Sequence, residues 1–249
     1  MTLSFSQPND GLTIGNPEAV SFSAVITLYN EEGNVEPLTR NLISAFRDKF
    51  AREPFELVLV LNGPLDTTPA IAGRLANEYK EITLVRLNAN RGYGGGILAG
   101  LSVARGDVVG FLCGDEQIES SDVVKVFAEA TTSPYDLVKV RRVVRQDGWQ
   151  RVLVTSVYNQ LCALVLGLES RDVNGTPKVF KKDALSRLSL TATDWFLDAE
   201  VMIQVHKQGL TVKEIPVVFK MRREGKSNVR FWTVVEFLKN MWKYRHGKN

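Results

Sequence analysis

Apolar and polar positions fall into blocks along the chain. Ser21–Tyr29 (SFSAVITLY) is an apolar, β-branched run closed by the polar cluster Asn30–Gly33, which predicts a buried strand followed by a turn. Val35, Leu38, Leu42, Ile43, Phe46 and Phe50 then recur at helical spacing. Phe55–Leu61 predicts a second strand closed by Asn62-Gly63-Pro64, residues 68–80 a short helix, and Ile82–Leu87 a third strand. The glycine-rich segment 90–96 leads into a helix ending near Ala104, and Asp107–Cys113 is a fourth strand ending at Gly114–Gln117. Strand, turn and helix repeat about every 25–30 residues, the rhythm of βαβ units, so an α/β fold with a mainly parallel central sheet flanked by helices is expected. In such sheets ligands bind beyond the carboxyl ends of the strands, where Asn30–Glu32, Asn62–Asp66 and Asp115–Gln117 all fall.

The second half is less regular. Asp136–Val144 predicts a strand that carries Lys139, Arg141 and Arg142. Residues 152–168 are the most apolar stretch, read as a core helix or as an acceptor- or membrane-facing one. Asp172–Phe180 predicts a turn and short strand, Trp195–Gln208 a helix, Val212–Phe219 a strand, and Phe231–Lys243 an amphipathic helix with Trp232, Val235, Leu238 and Trp242 in step. The expected organisation is a flexible segment over 1–20, one domain over 21–230, and a C-terminal helix and basic tail over 231–249.

Composition narrows the class. With 249 residues and 44% hydrophobic content the chain builds a real core, which excludes wholesale disorder. Two cysteines, Cys113 and Cys162, exclude a disulfide scaffold, and a reducing compartment is expected. The N-terminus lacks the basic flank and apolar core of a signal peptide, and no run approaches about 18 apolar residues, so no spanning helix is expected. The net charge of +3 conceals an asymmetry: −7 over residues 1–130, +2 over 131–205 and +8 over 206–249. A basic tail suits nucleic acid, an anionic membrane surface or an anionic substrate, or is simply solvated. Aromatic and basic residues do not interleave as in a nucleic-acid module, so no nucleic-acid partner is expected.

Several clusters carry chemistry. Asp115 sits at the end of an apolar strand, and Asp115-x-Gln117 places a carboxylate and an amide oxygen two residues apart. That pattern reads either as a Mg²⁺ or Mn²⁺ site completed by phosphate oxygens, or as a turn Asp capping the next helix. The glycines at 92–96 are not a P-loop and do not fit GxGxxG; they allow close backbone approach to a ligand or form a tight turn. Asp198 and Glu200 lie two apart and do not share a helix face; at a helix start, Asp198 would be exposed to a cleft as a general base. A phosphate-monoester acceptor, already ionised, would need no strong base. Arg222–Asn228 is a cationic loop suited to phosphate oxygens, and Arg141, Arg142 and Arg151 form a second cationic group.

As a set, AVITLYNEEGNV (24–35), ELVLVLNGPLDTT (56–68), NANRGYGGGILAGL (88–101), VVGFLCGDEQIES (108–120), DVNGTPKVFKKDAL (172–185) and the segment 195–228 resemble family 2 glycosyltransferases of the GT-A fold, more narrowly the polyprenyl-phosphate (dolichyl-phosphate) mannose and glucose synthases. The resemblance spans roughly residues 20–230 and implies one GT-A domain and an inverting hexose transfer. The donor is a GDP- or UDP-linked sugar, the acceptor a phosphorylated polyprenyl lipid or related molecule. It also implies a cytoplasmic chain, peripheral at the cytoplasmic face of a membrane, and leaves a homodimer open. By the same resemblance, Leu28, Asn30, Glu31, Asn62 and Asp66 border the base and ribose, and Asn90, Arg91 and Gly92 line the nucleotide-sugar pocket. Asp115 and Gln117 hold the metal, Asp198 and Glu200 match the acidic pair of the late helix, and Arg141 or Arg142 with Arg151 hold the acceptor phosphate. Arg222, Lys226 and Ser227 fold over the donor phosphates. Asn62 stands where the family usually has the second Asp of its DDG turn, and two departures matter: Cys113 replaces the first Asp of the DxD motif, and Leu61 the first Asp of the DDG turn. These departures favour an alternative, a catalytically weakened sugar-nucleotide-binding or regulatory protein; a nucleotidyltransferase is the third reading.

Overall fold

The computed structural model describes residues 13–14, 19–145, 160, 167–168 and 170–220. Among them, strands β1 (Thr13–Ile14), β2 (Phe22–Leu28), β3 (Phe55–Asn62), β4 (Ile82–Leu87), β5 (Val108–Cys113), β6 (Leu137–Arg145), β7 (Lys178–Lys181) and β8 (Val212–Phe219) form one sheet in the order β1-β4-β3-β2-β5-β7-β6-β8. The β2–β3, β3–β4, β2–β5 and β6–β8 pairs are parallel; β1 and β7 run antiparallel to their neighbours. Every residue of β3 is buried, as befits a strand covered on both faces.

Helices cover the two faces. α1 (Val35–Lys49), α2 (Thr68–Glu78) and α4 (Ser120–Thr132) pack on one, where Phe22, Phe46 and Phe127 meet. α3 (Gly92–Val103), α5 (Lys182–Ser186) and α6 (Leu197–Lys207) pack on the other with Val58, Val60, Phe111 and Phe180. α3 carries glycines at 94, 95, 96 and 100, against helix propensity. Its contact with the sheet explains them: a Cβ on Gly100 would stand 2.3 Å from Val25 Cγ1. Burial of Ile97, Leu98 and Leu101 supplies the stability that propensity withholds.

The expected strands and helices of residues 21–145 and 170–220 are present, with ends shifted by a residue or two; α4 and α5 had no counterpart among them. Within the segment expected to be flexible, Thr13–Ile14 pairs with β4, because β4 offers an open edge to a short apolar strand. The expected helix at 152–168, the cationic loop at 222–228 and the terminal helix lie outside the described residues, apart from Gln160, Gly167 and Leu168. No described helix is long and apolar enough to cross a membrane.

Candidate active site

The carboxyl ends of β2 and β3 deliver two loops that bond to each other. Asn30, in the left-handed region (φ 55°), accepts the Leu65 N–H on its side-chain oxygen at 2.7 Å. The Glu31 N–H donates to Thr68 Oγ1 (2.9 Å), and the Glu32 N–H to Asp66 Oδ2 (3.1 Å). Asp66 Oδ1 accepts the Thr68 N–H at 3.0 Å, and Glu31 Oε2 accepts from Asn34 Nδ2 at 2.7 Å. The result is a depression of about 360 Å³ lined by Asn30–Asn34, Leu65 and Asp66. Asn30, Glu31 and Asp66 are therefore brought together, while the Leu28 side chain lies in the core.

Asn62, at the end of β3, is buried and organises the next loop. Its Nδ2 donates to the Gly92 carbonyl (2.9 Å) and Asn90 Oδ1 (3.3 Å), and its Oδ1 accepts the Arg91 N–H (2.9 Å). Asn90 Oδ1 also accepts the Gly92 N–H at 2.8 Å. Asn62 is thus the hub of the Asn90–Gly92 loop. Gly92 needs its φ of 78°, and a Cβ there would meet the Thr193 carbonyl at 2.4 Å.

Asp115 and Gln117 follow β5 on a turn through Glu116, itself left-handed (φ 52°). Both flanking residues are buried, Asp115 at 7% exposure and Gln117 at 3%. Gln117 Nε2 donates to the Lys220 carbonyl (3.0 Å) and the Lys220 N–H to the Gln117 carbonyl (2.9 Å), which fixes the amide and ties the end of β8 to this turn. No group of three or more His, Cys, Asp or Glu converges among the described residues. One carboxylate and one oriented amide still fit Mg²⁺ or Mn²⁺, which bind through one or two protein oxygens with phosphate and water completing the shell.

Asp198 is not exposed to a cleft as the sequence suggested. It is 3% exposed; Lys178 Nζ is paired with its Oδ1, and the Tyr93 hydroxyl donates to its Oδ2 at 3.0 Å. The reason is topological: β7 carries fully buried Lys178 directly beneath the first turn of α6, and a buried cation recruits the nearest carboxylate. Tyr93 stacks on Trp195 with ring centroids 4.4 Å apart, and the Cys113 thiol is a further side-chain partner. Burial, then Asp198 and Cys113, push the Tyr93 hydroxyl well above its ordinary pKa, so it stays a proton donor. Glu200 is also buried: it accepts the Thr191 N–H (2.9 Å), the Ala192 N–H (2.8 Å) and the Thr191 hydroxyl (2.9 Å). It fixes the loop whose Thr193 carbonyl accepts the Gly95 N–H of α3.

Of the cations expected at the acceptor phosphate, Arg142 is engaged elsewhere. Its guanidinium grips Asp172 through Nε (2.8 Å) and Nη2 (2.6 Å), and its N–H donates to the same carboxylate. Burial raises the Asp172 pKa, but Arg142 and Lys139 outweigh it and hold the group below its ordinary value. Arg141 is part-buried and its Nε has no hydrogen-bond partner. Arg151, Arg222, Lys226 and Ser227 lie outside the described residues. The residues that sequence reasoning missed are Tyr93, Lys139, Asp172 and Lys178. A lysine at a core-facing position of a predicted strand, as at 139 and 178, was the available signal.

Residues 23–189 match the model of glycosyl transferase family 2. The chain is 26% identical over 213 residues to glycosyltransferase AglD of Haloferax volcanii, covering 83% of this chain and 34% of that protein. It is 25% identical over 228 residues to an undecaprenyl-phosphate 4-deoxy-4-formamido-L-arabinose transferase of Proteus mirabilis, covering 87% and 65%. The chain thus spans about a third to two thirds of the length of these relatives. Glucosyl-3-phosphoglycerate synthase from Mycobacterium tuberculosis, solved with Mn²⁺, UDP and glucosyl-3-phosphoglycerate, superimposes with a TM-score of 0.68 at 17% identity. That match covers 92% of this chain and 81% of the synthase and shares the GT-A fold. The protein belongs to glycosyl transferase family 2.

Proposed function

We propose that the chain is an inverting, metal-dependent glycosyltransferase that moves a hexose from a GDP- or UDP-linked sugar to a phosphorylated polyprenyl lipid. The observation that carries this reading is the state of Asp198. Both of its oxygens already accept protons held by Lys178 and Tyr93, so it is poorly placed to take one from an acceptor. An acceptor phosphate is ionised near neutral pH and needs no such base. Its oxygen forms the new bond to the anomeric carbon as the bond to the diphosphate breaks, and the electron pair leaves with the nucleoside diphosphate. The names of relatives that act on polyprenyl phosphates support the acceptor.

The roles proposed are those the family resemblance implies. Asn30, Glu31 and Asp66 border the base and ribose, and the Asn62-held loop at Asn90–Gly92 borders the sugar diphosphate. Asp115 and Gln117 would hold Mg²⁺ or Mn²⁺, which would offset charge on the departing diphosphate. Arg141 is the β6 cation for the acceptor phosphate; the parts of Arg151 at the acceptor phosphate and of Arg222, Lys226 and Ser227 at the donor phosphates rest on the family resemblance alone. The chain then works at the cytoplasmic face of a membrane. A second reading, binding without transfer, rests on Cys113 in place of an acid.

Thermal unfolding with a panel of nucleotide sugars, with and without Mg²⁺ or Mn²⁺, is the test, followed by transfer to undecaprenyl phosphate. A metal-dependent rise in melting temperature for one donor is expected, lost in Asp115→Ala. No binding by any donor refutes the transferase reading, stabilisation without a metal effect refutes the Asp115–Gln117 assignment, and binding without turnover favours the second reading.

A further inference from the structure

β6 runs antiparallel to β7, and β7 antiparallel to β5, so β6 points the same way as β2, β3 and β5. The carboxyl end of β6 therefore opens on the same edge of the sheet as Asn62 and Asp115, and so does the turn that leads into β7. On that turn Asp172 is held from two sides. Arg142 grips its carboxylate with guanidinium and N–H, and Lys139 Nζ donates to its carbonyl, which also accepts the Gly175 N–H at 3.0 Å. Gly175 lies on the Val140 carbonyl so closely that a Cβ would stand 2.2 Å from that oxygen. Arg141 follows that carbonyl and Asn174 precedes that glycine, so the two are neighbours across a fixed contact.

Arg141 and Asn174 differ from the charged residues around them. Both are part-buried, and Arg141 Nε and Asn174 Oδ1 are buried atoms without a hydrogen-bond partner. The nearby carboxylates are already engaged: Asp172 with Arg142, and Glu214 with Lys139, Ser170 and the Arg171 N–H. Buried polar groups left without partners cost stability, and the ion pairs that fix β6 and the turn keep these two from relaxing onto each other's neighbours. Arg141 offers only donors, and the Asn174 amide, fixed at its oxygen by no partner, can turn its NH₂ to the same ligand. Donors of this kind suit the oxygens of a phosphate monoester.

We propose that Asn174 binds the head group of the acceptor, taking the oxygens of a phosphate monoester together with Arg141. The inference rests on the proposed function and adds a residue to its acceptor site.

Farnesyl phosphate, a short polyprenyl phosphate, is the probe, titrated by calorimetry against wild type, Asn174→Ala and Asn174→Asp. N174A is expected to bind it about three- to tenfold more weakly. N174D sets a carboxylate against the phosphate and is expected to bind more weakly again, by about tenfold or more relative to wild type. Without ligand, N174A should melt within about 2 °C of wild type, because no partner of the amide oxygen is lost. A larger drop would mean that the amide holds the turn, and overturns the proposal. Unchanged affinity in both variants overturns it too, as does a loss confined to nucleotide-sugar binding, which would move Asn174 to the donor. Inorganic phosphate separates head group from chain: weakening by the same factors supports the proposal, and an effect on farnesyl phosphate alone overturns the head-group contact. Failure of the wild type to bind farnesyl phosphate overturns the lipid acceptor and this inference together, while stabilisation by nucleotide sugars decides the donor half of the proposed function separately.

Discussion

The carboxyl ends of β2 and β3, the donor side in the function we propose, and the β6–β7–β8 side of the sheet solve the same problem with different chemistry. At β2 and β3 the loops are held by neutral or singly charged groups: Asn62 on Asn90–Gly92, Asn30 on Leu65, Asp66 on Glu32 and Thr68. On the other side the loops are held by buried, opposed charges. Lys178 meets Asp198, Arg142 meets Asp172, and Lys139 lies against the Asp172 carbonyl and Glu214. A neutral loop is cheap to release and can yield to a ligand, whereas a buried ion pair that loses one partner leaves an uncompensated charge. The donor side is thus adjustable and the far side rigid.

The largest expected effect breaks the rigid side. Lys178→Met leaves Asp198 buried with the Tyr93 hydroxyl donating to it in place of a paired cation, and should cost about 3–5 kcal/mol of stability in urea unfolding. A loss no larger than that of a donor-side hydrogen bond would erase the distinction between the two regions. Next comes a pH effect. Burial, then neighbouring Lys178, lower the Lys139 pKa from 10.5 to about 8. Between those two values the unfolded chain holds a proton that the folded chain has released, so stability should rise with pH across that window. The gain is on the order of 3 kcal/mol over the window. Lys139→Met should lose this rise, which unfolding midpoints at pH 7.5, 9 and 10.5 (roughly spanning the window) would reveal.

A smaller effect probes the adjustable side. Asn62→Asp restores the acid of the family's turn, yet replaces an amide donor with an oxygen that faces the Gly92 carbonyl and Asn90 Oδ1. Loss of about 1–3 kcal/mol is expected, with weaker nucleotide binding. Tighter binding would mean that the base subsite, not the loop, decides residue 62.

The two regions also differ in how much of them could be read beforehand. β4 and β8 have the expected bounds, because strands covered by neighbours show as unbroken or alternating apolar runs between turn residues. The donor-side polar clusters were legible for the same reason: each sits at a strand end, next to its own loop. The charged side was not. Lys139 and Asp172 are 33 residues apart and Lys178 and Asp198 are 20 apart, so pairing depends on which strands neighbour which, a fact that no local pattern carries. Asp198 shows the cost: at the first turn of a helix it looked exposed, and β7 passing beneath that turn reverses the conclusion. The spacing of Asp198 and Glu200 was informative, since residues two apart point to different partners and these two do.

The smallest effect sharpens the adjustable side without disturbing its frame. Leu65 is 86% exposed at the rim of the Asn30–Asn34 depression, and only its backbone N–H is bonded to Asn30. Truncating an exposed side chain leaves that backbone bond intact, so Leu65→Ala should change stability by less than about 0.5 kcal/mol. An apolar side chain kept in water at the mouth of a polar depression gains by covering a flat ligand, and removing it gives that gain back. Nucleotide affinity should therefore fall a few-fold, about what burial of two or so methylene groups contributes when coverage is partial. Isothermal titration of UDP and GDP against L65A, beside its melting curve, separates the two quantities. A drop in affinity at constant melting temperature places the ligand against the loop that Asn30 holds. Unchanged affinity moves it off this rim and toward the Asn62-held loop.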